Sequence, residues 1–274
     1  MNTNPLKQYF RRPAIYLKLP SGGKFYPEGS IELPDNQELP VYPMTAIDEI
    51  TSKTPDALFN GVAVTEIIKS CVPNIKDPWS IPAMDLDAIL ISIRAASNGN
   101  SLEVESVCPS CKEESSYTIN LVGLLTNLGK GDYDNVVTVN ELSIKFNPLS
   151  YKKVNEINLA QFEIEKIIRN LENVTNDDER LKISSQTMKQ LNELSMVLIT
   201  EAIESIATPS AIVTEKEHIM DFLQNCDKKS FDILKNTAVK LRESSQLKPL
   251  QVKCIHCQHE YEQTLTLNVT DFFE

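Results

Sequence analysis

Four of the six cysteines fall into two Cys-x-x-Cys pairs, Cys108-Pro-Ser-Cys111 and Cys254-Ile-His-Cys257, separated by residues 112–253. Two residues between cysteines allow a tight turn that aims both thiolates at one ion, and two such turns supply the four sulfurs of a closed tetrahedral zinc shell. The flanks correspond. Glu114, Ile119 and Leu121 stand at the same distances from the first pair as Glu260, Leu265 and Leu267 from the second, and a valine precedes each pair, Val104 and Val252. Each copy reads as strand, knuckle, strand, and the spacing predicts one structural Zn2+ per chain held by Cys108, Cys111, Cys254 and Cys257.

Other chemistries fit the same residues less well. A thioredoxin-like dithiol opens a helix after a strand, whereas Tyr117, Ile119 and Leu121 after the first pair, and Tyr261, Thr264, Leu265 and Leu267 after the second, continue an alternation of polar and apolar residues. Disulfides within each pair, or a site that has lost its metal, stay open. His256 within the second pair and His259 just after it could substitute as ligands; with four cysteines present they read as exposed side chains. Cys71 and Cys226 have no partner at ligand spacing and read as small buried apolar residues.

The knuckles must be positioned by a chain of 274 residues, 41% hydrophobic, enough for one large core or two modest ones. No apolar run reaches the roughly 20 residues that span a bilayer, and residues 1–12 lack the apolar heart of a secretion signal. Synthesis in a reducing cytoplasm is the expectation, and it favours metal over disulfide. Lys+Arg 27 against Asp+Glu 38 gives a net charge of −11, which repels phosphate backbones on average. The best basic candidates, Lys7/Arg11/Arg12 and Lys228/Lys229/Lys235, are sparse. Gly22-Gly23-Lys24 lacks the rest of a phosphate-loop pattern and reads as a hairpin turn. With no catalytic triad, and only His218, His256 and His259 as histidines, no catalytic residue or catalytic metal centre is assigned.

The expected fold class is α+β. After an N-terminal arm (1–13), residues 14–44 alternate like a β-meander: Ile15, Leu17 and Leu19, then Ile31 and Leu33, then Leu39 and Val41, broken by Ser21-Gly22-Gly23 and Pro27-Glu28-Gly29. Short helices complete this body (14–100). Thr45 with Asp48 forms a capping box before Ile47 and Ile50, and Thr54-Pro55 reads as a cap followed by proline at the first position of another helix. Val64, Ile67 and Ile68 stripe a helix over 62–70, and Leu86, Ile89, Leu90 and Ile93 stripe one over 83–97 that stops at Asn98-Gly99. Arg94 reads as a surface or paired guanidinium, and Trp79 as a residue packed on the core. The zinc ribbon halves are 101–121 and 248–267. Between them lies an insertion (122–247): a β-hairpin around Asn140-Glu141, then helices over about 150–172, 184–206, 215–225 and 229–243. Thr214 with Glu217 suggests a further capping box, and 173–180 is the most loop-like polar stretch.

The segments Leu19-Pro-Ser-Gly-Gly-Lys-Phe-Tyr26, Leu39-Pro-Val-Tyr-Pro-Met-Thr45, Asp48-Glu49, Thr54-Pro-Asp-Ala-Leu-Phe-Asn-Gly61, Ile67-Ile-Lys-Ser-Cys-Val-Pro73, Asp85-Leu-Asp-Ala-Ile-Leu90 and Arg94-Ala-Ala-Ser97, followed by the first Cys pair, resemble the T4-type bacteriophage baseplate protein family. The likeness covers about 14–121; beyond it the second Cys pair is consistent with the family. The resemblance implies a non-enzymatic structural or assembly protein of the tail baseplate hub. Its partners would be hub or tail subunits, with no nucleic acid, membrane or small-molecule substrate. Its place would be the host cytoplasm during assembly and the virion tail. Two other readings remain, a zinc-ribbon module of a nucleic-acid-processing complex and a thiol redox protein.

Overall fold

The computed structural model describes residues 4–54, 60–171 and 176–265. Pro55 of the expected helix start at Thr54-Pro55, Leu267, and 173–175 of the loop-like stretch lie outside them. The class is α+β, and the chain divides into two compact units, Met1–Lys130 with Ser245–Glu274, and Gly131–Ser244. Among the described residues no helix is long and apolar enough to cross a membrane.

In the first unit β1 (Ile15–Leu17) pairs antiparallel with β2 (Leu39–Val41), Leu17 opposite Leu39. Alternation puts Leu17, Leu39 and Val41 in the core. The third meander strand is absent. Ile31 makes only an isolated bridge to Ile75, and the Glu32 amide bonds to the Asn74 carbonyl, so this segment is spent on the loop after a helix. The chain between β1 and β2 is rich in turns instead, with positive φ at Gly22, Gly23, Phe25, Gly29 and Gln37. Gly23 has a steric reason as well: a Cβ there would stand 2.1 Å from Leu33 Cδ1.

Helix α1 (Ala46–Ser52) opens with the expected box between Thr45 and Asp48. Its isoleucines do not enter the core: Ile47 and Ile50 are 74% and 69% exposed, while Asp48 and Ser52 are buried. The inner face is polar because it receives Arg11, whose guanidinium donates to Asp48 (3.4 Å), to the Ser70 carbonyl and hydroxyl (2.7 and 2.8 Å) and to the Pro43 carbonyl, over the Tyr42 ring. Helix α2 (Val62–Cys71) buries Val64, Ile67, Ile68 and Cys71.

Helix α3 (Ala83–Asn98), ended by Gly99 at φ 89°, is the spine of this unit. It contacts β1, β2, α2 and the later α4 (Leu121–Thr126), so Ile89, Ile91 and Ile93 are all fully buried although no single stripe contains them. Each such burial contributes roughly 1.5–3 kcal/mol. Arg94 is buried as well, at 8% exposure, and its Nε and Nη1 meet no hydrogen-bond acceptor among the described residues. A helix packed on most sides leaves no solvated flank for it. Trp79 is half-buried.

The second unit holds a four-stranded antiparallel sheet, β5 (Val137–Val139), β6 (Leu142–Phe146), β7 (Ile203–Ala207) and β8 (Ile212–Val213), in that order. The hairpin turns at Asn140, φ 55°. Strand β7 corrects the expected helix over 184–206: Ile199, Ile203 and Ile206 fit a helical stripe, but pairing with β6 opens the chain at Ile203, where Ile203 and Ile206 are buried. Helices α5 (Tyr151–Asn170) and α6 (Asp177–Ala202) pack together. The acidic stretch at 177–180 is the first turn of α6, because the Asn176 side chain accepts from the Asp178 and Glu179 amides and acids favour a helix N-terminus. Helices α7 (Lys216–Asn225) and α8 (Lys228–Ser244) follow. The expected Thr214 capping box does not form; Glu215 is the N-cap residue of α7, without a side-chain cap bond.

The junction of α6 with β7 depends on Lys216. Its ammonium donates to the carbonyls of Thr200, Glu201 and Ile203 (3.2, 3.2 and 2.6 Å), acceptors that the end of a helix leaves without partners. Burial holds this amine below its ordinary range. Lys216→Met should keep the stem's packing and strand those carbonyls, costing about 1–3 kcal/mol. Urea unfolding of the variant checks it, and an unchanged midpoint would refute the capping role.

Candidate metal centre

Both knuckles sit in the first unit, each at the tip of a two-stranded antiparallel hairpin. The first joins β3 (Ser101–Val107) to β4 (Glu114–Asn120), with Val107 opposite Glu114; the second joins β9 (Leu250–Lys253) to β10 (Glu260–Gln263), with Lys253 opposite Glu260. The turns repeat each other bond for bond. Cys108 N–H donates to Glu113 O (3.0 Å) and Lys112 N–H to Cys108 O (3.0 Å); Cys254 N–H donates to His259 O (2.9 Å) and Gln258 N–H to Cys254 O (3.0 Å). The residue after each second cysteine is left-handed, Lys112 at φ 63° and Gln258 at φ 62°.

That shared strain is testable. A left-handed non-glycine residue carries a steric penalty on the order of 1–2 kcal/mol, which glycine avoids at the cost of greater freedom when unfolded. Lys112→Gly and Gln258→Gly should each stabilise by about 0.5–1 kcal/mol, whereas Lys112→Val should destabilise by at least about 1 kcal/mol. Denaturant midpoints that fall for the glycine variants would contradict the turn geometry.

The four sulfurs converge. All lie within 4.8 Å of one another, and across the hairpins Cys108 Sγ is 3.7 Å from Cys257 Sγ and Cys111 Sγ 3.6 Å from Cys254 Sγ. A tetrahedron with metal–sulfur bonds of about 2.3 Å has edges of about 3.8 Å, while a disulfide needs about 2.05 Å. The donor set and its spacing are compatible with one tetrahedral ion, and all six cysteines are free thiols. Cys108 and Cys254 are buried, Cys111 is intermediate and Cys257 exposed, so the site would sit at a rim. The Cys257 and His256 amides directed at its sulfur hold the Cys254 thiol below its ordinary range. Cys111 goes the other way: the Glu113 amide alone lowers it, but desolvation and the neighbouring sulfurs push it up. A cation bound there would take the place of the thiol protons.

The hairpins are also joined by polar contacts that the sequence reading missed. Buried Ser106 Oγ pairs with Tyr261 Oη (2.8 Å) and donates to Gln263 Oε1 (2.6 Å), and Tyr117 Oη donates to Lys253 O (3.2 Å). Ser106 and Ser115, paired across β3 and β4, are both buried; small polar residues on the inward side of a strand were the available signal. Tyr261 stacks on His259 at 6.2 Å. His218, His256 and His259 are all exposed, and among the described residues none joins the cysteine group. Cys71 is fully buried, its thiol pushed up to about 12 by desolvation and then by the Asp48 charge. Cys226 is half-buried.

Compared with known proteins, residues 15–274 match a family model described as T4 bacteriophage base plate protein. No curated protein and no solved structure matches.

Proposed function

We propose, because this chain belongs to the T4 bacteriophage base plate protein family, that it is a component or assembly factor of the tail baseplate hub, stapled by one structural Zn2+. Membership makes it a phage baseplate structural protein, whose associates are other baseplate or tail proteins and whose place is the virion tail. The finer reading is a protein that works by contact and makes or breaks no bond, binding hub subunits in the host cytoplasm during assembly.

Residues 14–100 would form the docking body common to the family, the ribbon halves 101–121 and 248–267 would close on each other, and 122–247 would add a contact surface peculiar to this chain. Cys108, Cys111, Cys254 and Cys257 would hold the ion. Zinc in a closed four-sulfur shell keeps no open position for substrate, so its contribution would be to fasten one hairpin to the other. The observation that carries the metal reading is the convergence of four free sulfurs within 4.8 Å of one another, two cross-hairpin pairs at 3.6 and 3.7 Å, from two turns of matching bonding.

Co-expression with candidate hub subunits tests the assembly role. The chain should co-purify with at least one of them, and hub assembly should fail without it. If it binds none and assembly proceeds normally in its absence, the hub assignment is wrong.

A further inference from the structure

We propose that the N-terminal arm of one copy of this chain docks into an apolar, acid-rimmed groove in the helical unit of a second copy, giving head-to-tail self-association. The arm is a 3₁₀ turn (Pro5–Tyr9) started by Asn4, whose side chain accepts from the Leu6 amide. It presents Leu6, Tyr9 and Phe10 at 61%, 77% and 57% exposure. Arg11 fixes its root to α1 and α2 through the bonds described above, so the apolar side chains are held out on an anchored base, and less ordering is lost on binding. Lys7 and Arg12 are exposed beside them, and residues 1–13 contain no Asp or Glu in a chain of net charge −11. The arm also precedes residue 15, where the family match begins.

The groove lies between the C-terminal half of α6 and α7, with a volume of about 390 Å³. Val197 and Met220 supply its apolar lining, and Glu201, Glu217 and Asp221 its acids. Two of its charges are already engaged: Lys216 with the carbonyls at the end of α6, and Glu201 with Lys153 (3.3 Å). Glu217 and Asp221 are exposed and four residues apart on α7, a like-charged pair that repels across one turn; Asp221 also accepts from the Asn225 amide. A cation laid between them relieves that repulsion. Tyr9 and Phe10 fit the apolar floor, where Met220 offers a sulfur–aromatic contact, and Lys7 and Arg12 fit the rim. The basic arm is drawn to an otherwise acidic surface. Such a contact is heterologous: each copy offers one arm and one groove, so it propagates into a ring or an open chain. The inference stands independently of the hub assignment and of the metal.

Sedimentation velocity of the full-length chain tests it. The weight-average mass should rise with concentration at low ionic strength and fall back in roughly 0.5 M salt, and Phe10→Ala should weaken association about tenfold or more. Two charge-reversed chains decide the occupant. Lys7→Glu/Arg12→Glu and Glu217→Lys/Asp221→Lys should each stay monomeric alone and, when mixed, associate into assemblies in which the two chains alternate, because only unlike chains then match. A wild type that stays monomeric throughout, reversed chains that associate like the wild type, or a mixture that stays monomeric would overturn the proposal. Should the groove variant lose its helical signal, a photoreactive phenylalanine analogue at Phe10 takes its place. It must crosslink to a Met220 peptide of a second, isotope-labelled copy, and crosslinks confined to the same chain overturn the proposal equally.

Discussion

Cys254→Ala should remove zinc from the chain and abolish cooperative unfolding of the unit that carries the knuckles, while the unit at Gly131–Ser244 keeps its own transition. Cys254 is fully buried and its Sγ lies 3.6 Å from Cys111 Sγ, so alanine leaves both an incomplete shell and a void. Apparent binding energies of structural zinc reach roughly 10–16 kcal/mol in small fingers, comparable with the roughly 5–15 kcal/mol that holds a whole domain. The ion would also join residue 108 to residue 257, closing a loop that holds the entire second unit. The remaining hairpin bonds, Ser106 to Tyr261 and Gln263 and Tyr117 to Lys253, contribute about 0.5–1.5 kcal/mol each, too little to replace the metal. Elemental analysis should give about one zinc per wild-type chain, and a strong chelator should reproduce the variant's melting curve. Cys226→Ala, outside the cluster, is the control. If wild-type protein is metal-free and folded, and Cys254→Ala melts like it, the staple does not exist.

The second large effect is electrostatic and belongs to Asp85. This carboxylate is fully buried on α3 and accepts from the Ser21 amide (2.8 Å) and the Ser21 hydroxyl, while Ser21 Oγ in turn accepts from the Gly23 amide (3.0 Å). Desolvation pushes it up to about 6 from 3.8, against the Ser21 bonds that lower it. Tyr26, half-buried with its hydroxyl enclosed, is pushed up by burial and then by the Asp85 charge. With a folded value above the unfolded one, the folded state holds the proton more tightly. The stabilising contribution is fully present below about pH 4 and is lost as pH rises through about 6. The size is about 3 kcal/mol, at roughly 1.4 kcal/mol per unit. Stability of the first unit should therefore gain from Asp85 on acidification from pH 7 to pH 4.5, and Asp85→Asn should flatten that slope while keeping an acceptor for the Ser21 amide. Asp85→Ala should flatten the slope too, and at pH 4.5 should cost about 2–4 kcal/mol, since it orphans buried donors, with a smaller cost at pH 7, where the wild type has lost the protonated-state contribution. Identical pH slopes for wild type and Asp85→Asn would remove Asp85 as the cause.

The features readable from sequence were those set by neighbours a few residues apart. The Thr45–Asp48 box, the Gly99 stop, the helix over 62–71 and the hairpin at Asn140 follow from capping, backbone freedom and alternation. Where two local signals competed, a distant partner chose. Residues 203–207 fit a helical stripe, yet β6 takes them as a strand. Ile31 and Leu33 alternate like a strand, yet only Ile31 finds a partner, in the loop after α2. On α1 the isoleucines stay exposed, because Arg11, 37 residues before Asp48, claims the inner face for polar contacts.

The sequence alone determined the two knuckles, their shared pattern and the family, because cysteine spacing and turn chemistry are local and survive any arrangement of the rest. Whether those knuckles meet was a tertiary matter: the hairpins come together with Ser106 bonded to Tyr261 and Gln263 and Tyr117 to the Lys253 carbonyl, and four sulfurs lie within 4.8 Å. The buried state of Asp85 and Arg94, the capping of α6 by Lys216 and the exposure of Ile47 were likewise decided only there. Burial and partnership depend on which surfaces come together, and residues distant in the chain supply those surfaces.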